Sequence, residues 1–156
     1  LALRRVSVKA LGVFGESILS PISRIIQSNN DRAMRTSCLK VLVQVAARLE
    51  DDIVLPEEVM NSIKLALQDD APEIILTGIT VLRQLGEQGI LLLLESSRDK
   101  NILKATAAIS ALGELQNPMV SECLRRIGEN DSLDILIRES ANDALSNFSR
   151  LEKNKF

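Results

Sequence analysis

Histidine, tryptophan and tyrosine are absent from this chain of 156 residues, and phenylalanine occurs only three times. Histidine is the commonest general base and metal ligand in proteins, so its absence removes the most frequent basis of catalysis and metal binding. A core without large aromatic side chains must be built from Leu, Ile, Val and Ala, which suits closely packed helices. The sequence therefore predicts a protein that is not an enzyme and that holds no metal ion or other cofactor.

Long apolar runs and closely spaced cysteines are also missing. The longest apolar run covers residues 90–94, whereas a membrane-spanning helix needs about 20 apolar residues. No signal peptide is apparent at the start of the sequence. Cys38 and Cys123 stand far apart, each within a helical apolar pattern, which predicts two reduced cysteines in the core. Together these features predict an intracellular, cytoplasmic protein without a membrane span.

Charge is divided unevenly along the chain. Residues 1–49 carry eight Lys/Arg against two Asp/Glu, whereas residues 50–156 carry eleven against nineteen, which gives +6 and −8. The net charge of −2 argues against a general binder of polyanions, because neutralising phosphates requires a surplus of basic residues. The acidic residues 50–52 and 57–58 lack the ligand spacing and central glycine of a calcium loop, and we interpret them as charges near a helix start.

A pattern of small and aliphatic residues recurs five times, with starting positions 3, 34, 74, 104 and 137. Its members lie at offsets of zero, four, seven and eight residues, which places them on one face of a helix. Spacings of 30 to 40 residues are typical of proteins built from repeated helix pairs. The five copies are Leu3-Ser7-Ala10-Leu11, Met34-Cys38-Val41-Leu42, Ile74-Gly78-Val81-Leu82, Lys104-Ala108-Ala111-Leu112 and Ile137-Ala141-Ala144-Leu145.

Shorter amphipathic stretches precede four of these helices and are predicted to be their partners. They cover residues 18–26, 59–67, 90–94 and 119–127. Each proline falls where a first helical turn begins, a position that tolerates its missing N–H. The pattern predicts nine helices, of which the first is unpaired and the others form four pairs, with no strand. The predicted caps or near-caps of the longer helices are Asp31, Asp70, Asn101 and Ser132.

The second helices resemble those of HEAT and armadillo-type repeats. In HEAT repeats an acidic residue, a proline, an apolar-basic pair and an Ala-Leu-Gly ending follow one another. Two positions depart from that signature, with Ile75 in place of the basic residue and Lys104 in place of the apolar one. The matching segments are Leu3-Arg4 with Ala10-Leu11-Gly12, Met34-Arg35, Asp69-Asp70-Ala71-Pro72-Glu73-Ile74 with Val81-Leu82, Ala111-Leu112-Gly113, and Ile137-Arg138 with Ala144-Leu145.

The resemblance implies an all-α protein, a right-handed superhelix or solenoid of about 4.5 helix-pair repeats. Residues 1–156 are expected to form a single HEAT-like domain. Because the sequence opens on Leu1, we expect a piece of a longer solenoid. Second helices would line its concave face and first helices its convex face. An unpaired first helix would leave apolar side chains uncovered and provide a means of self-association.

A stripe of exposed residues is predicted along the second helices, on the side away from their buried anchors. It changes from basic through neutral to acidic along the chain. We expect this concave ridge to contact an extended or helical protein segment. Its residues are Arg5, Lys9, Val13, Thr36, Lys40, Gln44, Leu76, Thr80, Gln84, Thr106, Ser110, Glu114, Glu139, Asp143 and Asn147.

The function favoured by these features is that of a non-catalytic scaffold or adaptor that binds a protein partner. HEAT-like proteins also act in pigment attachment, so a regulatory or pigment-lyase-type subunit of an enzyme complex is an alternative. Nucleic-acid binding through the basic first third is less favoured, because Phe14 is the only aromatic residue there for base stacking. A tubulin-binding array is disfavoured, since such arrays usually present a tryptophan.

Overall fold

A computed structural model of the chain describes residues 12–50, 53–115 and 117–153. These residues form α-helices and two short 3₁₀ segments, Gly12–Ile18 and Gly86–Gly89, and they contain no β-strand. The eight α-helices are α1 (Leu19–Ser28), α2 (Arg32–Ala46), α3 (Glu57–Leu67), α4 (Pro72–Gln84), α5 (Ile90–Ser96), α6 (Ile102–Glu114), α7 (Pro118–Gly128) and α8 (Ile135–Lys153).

The eight helices correspond to the four predicted pairs, and the all-α prediction is confirmed for this part of the chain. The predicted unpaired helix falls largely on residues 1–11, which lie outside the described residues. No helix in the described ranges is long and apolar enough to cross a membrane.

Contacts divide the chain into two compact units, unit 1 (residues 1–88) and unit 2 (residues 89–156). In unit 1, α1 packs on α2 and α3 on α4, so each short loop joins two helices of one hairpin. The hairpins stack through α1 against α3 and α2 against α4. Unit 1 is thus a two-layer stack in which second helices lie side by side. That both units form one domain stays a prediction.

Polar side chains join the two hairpins of unit 1 along the layer of first helices. The Ser20 hydroxyl donates to Glu58 Oε2 at 3.0 Å, and the Gln27 amide donates to Ser62 Oγ at 2.9 Å. The first bond joins the start of α1 to the start of α3, and the second joins the end of α1 to the middle of α3. The two helices therefore run in the same direction. Ser62 is fully buried, and its hydroxyl lies 2.9 Å from the Glu58 carbonyl oxygen.

Unit 2 has the same pairing with a tighter contact between its second helices. α5 packs on α6 and α7 on α8, while α6 and α8 lie against each other. The Ser140 hydroxyl donates to the Thr106 carbonyl at 3.4 Å, and further along Gly113 lies against Ala144. Contacts that advance along both helices show that α6 and α8 are parallel.

Capping residues agree in part with the sequence prediction. Asp31 and Asn101 accept backbone N–H groups of α2 and α6, as expected. The other two predicted residues, Asp70 and Ser132, lie near the helix starts but are not the caps. The N-cap of α4 is Ala71, which makes no side-chain cap bond, and Asp69 accepts from its N–H. At the start of α8, Asp134 accepts from the Leu136 N–H at 2.9 Å and is the capping side chain.

Burial corrects several apolar predictions. Cys38 is buried, but Cys123 is only half-buried, so the prediction of two core cysteines holds for the first alone. Both are free thiols, and burial raises the pKa of the Cys38 thiol. Met34, expected as a buried anchor, is 44% exposed. Four apolar side chains within the predicted partner stretches are also exposed: Ile25, Leu65, Leu91 and Met119.

Basic residues near the start of second helices form ion pairs with the loops. Arg35 of α2 pairs with Asp69 in the loop before α4, and both side chains are largely buried. Lys104 Nζ lies 2.7 Å from Asp99 Oδ2, and Arg138 Nη2 lies 2.7 Å from Asp131 Oδ1. Lys104, an apparent departure from the repeat signature, therefore makes a loop ion pair like the other two cations.

Candidate functional site

The predicted stripe is distributed over both units. Thr36, Lys40 and Gln44 lie on α2, and Leu76, Thr80 and Gln84 lie on the neighbouring α4. All six are exposed or half-buried, as the stripe requires. Gln84 also lines a cavity of about 390 Å³ at the ends of α2 and α4, together with Leu49, Leu85 and Glu87. Arg5 and Lys9 lie outside the described residues, and the side chain of Val13 is not described.

The structure brings the stripe residues of unit 2 together in one groove. This groove, hereafter the α6/α8 groove, has a volume of about 850 Å³. Thr106, Ser110 and Glu114 line it from α6, and Glu139, Asp143 and Asn147 line it from α8. The six residues line one continuous surface. That they bind a protein stays a prediction.

Small residues explain why the α6/α8 groove is open. Gly113 and Ala144 both line it, and a Cβ added at Gly113 would lie 2.8 Å from the Ala144 Cβ and 3.1 Å from its Cα. The helices are therefore as close here as a glycine permits. The floor is apolar and narrow, and polar residues form the walls.

Threonine hydroxyls on the stripe are already used within their own helices. Thr36 donates to the Arg32 carbonyl at 2.8 Å, and Thr106 donates to the Ile102 carbonyl at 2.8 Å. Thr80 donates to the Leu76 carbonyl in the same way. A threonine hydroxyl has one hydrogen, so these groups offer a partner only an acceptor and a methyl group. The donors and charges of the site must come from other residues.

Charge gives the α6/α8 groove its chemical character. Its acidic lining residues are Glu114, Glu139 and Asp143, and its one basic lining residue is Arg150. Glu139 and Asp143 are exposed on the same face of α8, one helical turn apart. The C-terminal end of α6, at Glu114, also carries the negative end of the helix dipole. The arrangement attracts cationic groups and disfavours anionic ones.

Several lining residues were missed by the sequence prediction. Ile102, Leu103 and Leu136 form an apolar mouth where the two helices begin, and Arg150 closes the other end. The predicted stripe covers three positions per helix. Extending it by one turn in each direction along α8 reaches Leu136 and Arg150, so the periodic signal for them was present. The cross-helix bond from Ser140 carried no sequence signal.

These observations define an all-helical protein of stacked helix pairs, with an acidic groove between two parallel second helices. The bilin biosynthesis protein CpeZ of Synechococcus sp. strain WH8020 is 30% identical to this chain over 148 residues, covering 91% of the chain and 79% of that protein. The phycocyanin operon protein Z of Pseudanabaena tenuis strain PCC 7409, described as uncharacterized, is 27% identical over 144 residues, covering 92% and 71%. No family model matches the chain. The chain belongs to the family of the bilin biosynthesis protein CpeZ.

Proposed function

We propose that this chain is a non-catalytic subunit of a bilin attachment system and holds the protein that receives the pigment. The kinship with a bilin biosynthesis protein supports the pigment-lyase-type alternative over a general scaffold. Within that system the chain would act as a scaffold, because it would work by binding a protein segment. The observation that carries this proposal is the α6/α8 groove, which gathers six stripe residues on one open surface.

The charge of the groove favours a protein occupant over the pigment. A bilin is a linear tetrapyrrole that carries two propionate groups. The exposed carboxylates of Glu139 and Asp143 would repel those propionate groups. A protein segment with lysine or arginine residues would gain from the same field. We therefore assign the groove to the acceptor protein and leave the pigment to another subunit.

The side chains of this chain also support a binding role over a catalytic one. The sequence contains no histidine to act as a general base near neutral pH. A cysteine nucleophile acts as its thiolate, and burial raises the pKa of Cys38, which disfavours that form. The groove itself is lined by no cysteine.

For the architecture, we propose that the helix pairs continue a HEAT-like repeat. In unit 1, α2 lies against α4, and in unit 2, α6 lies against α8. Side-by-side packing of second helices within each unit is the arrangement that such a repeat requires. Within each unit, the stripe residues of the described second helices would then form one side of this repeat.

Co-expression tests the proposed function. The tagged full chain is expressed in bilin-producing cells with a phycobiliprotein acceptor subunit. We expect the acceptor to co-purify with the chain and to gain covalent pigment, measured by zinc-enhanced fluorescence on a denaturing gel. The chain itself should carry no pigment after denaturation. Pigment retained by the denatured chain would overturn the proposal, as would an acceptor that neither co-purifies nor gains pigment.

A matched pair of variants links this result to the groove. Glu139→Lys combined with Asp143→Lys reverses two charges in the groove, and we expect loss of co-purification. Glu87→Lys combined with Glu95→Lys makes the same charge change at exposed positions outside it. The control should retain the acceptor. Equal loss in both variants would attribute the effect to net charge and contradict the assignment to the groove.

A further inference from the structure

Exposed aliphatic side chains cluster at one end of the α6/α8 groove. Leu103 is 39% exposed and Leu136 is 54% exposed, and Ile102 lies beside them. Each stands in the first turn of α6 or α8. Exposed leucines are common when they are scattered over a surface. Three aliphatic residues that line one groove instead form an exposed apolar patch, whose contact with water is unfavourable. The mouth of the groove is therefore suited to an apolar side chain.

Acidic side chains follow the apolar mouth in a fixed order along α8. Leu136 is followed by Glu139 three residues later and by Asp143 four residues after that. At the rise of an α-helix, Glu139 stands about 5 Å and Asp143 about 10 Å along the axis from Leu136. The wall thus presents one apolar and two acidic positions at successive helical turns.

We propose that the α6/α8 groove binds a basic amphipathic helix of a partner protein. An aliphatic side chain of that helix sits between Leu103 and Leu136, and its lysine or arginine residues approach Glu139 and Asp143. Basic residues three or four and seven positions from the aliphatic anchor match the spacing on α8. The proposal rests on the proposed function, that the chain holds a protein segment, and it specifies the chemistry of that segment.

The size of the groove sets how much of the helix enters. The groove extends from Ile102 to Glu114 on α6, about 18 Å at the rise of a helix. The groove lies on the surface between α6 and α8, which are in contact at Gly113 and Ala144. A helix lying along it inserts the side chains of one face, while the opposite face stays outside.

A second copy of this chain is the competing occupant. Residues 1–15 contain Arg4, Arg5 and Lys9 and no acidic residue, so another molecule also offers a basic segment. Head-to-tail binding of this kind would make open chains of molecules. We favour a different protein because the acceptor in the proposed function supplies an occupant without such assembly. Sedimentation of the chain alone measures such self-association.

Labelled peptides of defined composition test the proposal with the full chain. The first probe is a helical peptide with one leucine anchor and lysines at positions three, four and seven from it. Two matched peptides carry glutamate or glutamine in place of the lysines. We expect fluorescence anisotropy to show binding of the lysine peptide at least about tenfold tighter than the glutamate peptide, with a loss of affinity at high salt. Equal affinity for all three would overturn the proposal.

Substitutions in the groove separate charge from apolar contact. Glu139→Gln with Asp143→Asn should weaken the lysine peptide by about tenfold and leave the glutamine peptide unchanged. Leu103→Ser with Leu136→Ser should weaken both peptides. The controls are Glu87→Gln with Glu95→Gln, and Leu91→Ser at a position that is 76% exposed. Circular dichroism establishes that each variant is folded. Wild-type affinity in folded groove variants would contradict the proposal.

Sedimentation of the chain alone should show a monomer. Self-association that the groove variants abolish, and that the lysine peptide competes away, would place a second copy in the groove and overturn the proposal. The proposed function fails separately. Peptide binding without co-purification of an acceptor would refute the bilin role alone, whereas co-purification without peptide binding would refute the basic-helix inference alone.

Discussion

The two units join their helix pairs by different means. In unit 1, polar groups cross from one hairpin to the next, as in the Gln27 to Ser62 bond and the Arg35–Asp69 ion pair. In unit 2, the corresponding ion pairs stay near their own helix pair. The parallel helices α6 and α8 meet through small residues such as Gly113 and Ala144, with one hydrogen bond of 3.4 Å between them. One repeat pattern is therefore compatible with polar bonding or with close contact, and close contact leaves a groove above it.

Removing an arginine from its ion pair should give the largest difference in stability loss between unit 1 and unit 2. Arg35→Met leaves Asp69, whose side chain is 9% exposed, without its cationic partner. We expect a loss of about 3 kcal/mol in the free energy of unfolding, because an unpaired carboxylate then stays largely buried. Arg138→Met in unit 2 should cost less than about 1 kcal/mol, since its partner Asp131 is 88% exposed. Urea denaturation at neutral pH measures both, and equal losses would contradict the comparison.

Adding one methyl group tests the close contact of unit 2. Gly113→Ala places a Cβ against the Ala144 backbone, so the helices must move apart, at an expected cost of about 2 kcal/mol. Gly78→Ala in unit 1 meets the Leu67 Cδ2 atom at 3.3 Å, a side-chain end that can shift. That change should alter stability by less than about 1 kcal/mol. Thermal unfolding of both variants measures the two losses in stability. A larger loss for Gly78→Ala would contradict the assignment of the closer contact to unit 2.

The smallest expected effect concerns the local ion pair between Lys104 and Asp99. The hydrogen bond from Lys104 lowers the pKa of the Asp99 carboxyl, so this group stabilises the folded chain above its unfolded pKa of about 3.9 and loses that contribution as pH falls. Lys104→Met should cost about 0.5–1 kcal/mol at neutral pH, a modest value because Asp99 is 35% exposed.

The pH dependence provides the check on this pair. The difference in unfolding free energy between the wild type and Lys104→Met should shrink as pH falls below about 4, because protonated Asp99 no longer gains from the cation. Denaturant titrations at neutral and acidic pH measure it. A difference that persists unchanged in acid would mean that Lys104 acts through packing of its aliphatic chain.

Local periodicity made the helix pairs and half of the groove predictable. Residues such as Ser110 and Asp143 were found because the helical repeat fixes which side chains share a face. The Arg35–Asp69 pair was not predictable, since its partners are 34 residues apart and meet only when hairpins stack. The same holds for the Gly113–Ala144 contact, which depends on how closely α6 approaches α8. Periodicity determines a face, whereas the neighbour that covers it follows from tertiary packing.

The central claim is that the α6/α8 groove holds a basic helix of the pigment-receiving protein. Its most direct test places the photocrosslinker p-benzoylphenylalanine at Ser110, an exposed lining residue, with position 91 as the control. The full chain is irradiated with purified acceptor protein, and the products are mapped by mass spectrometry. We predict a crosslink from position 110 to a basic amphipathic segment of the acceptor and none from position 91. A crosslink from position 110 to an acidic segment or to a second copy of the chain would contradict the account.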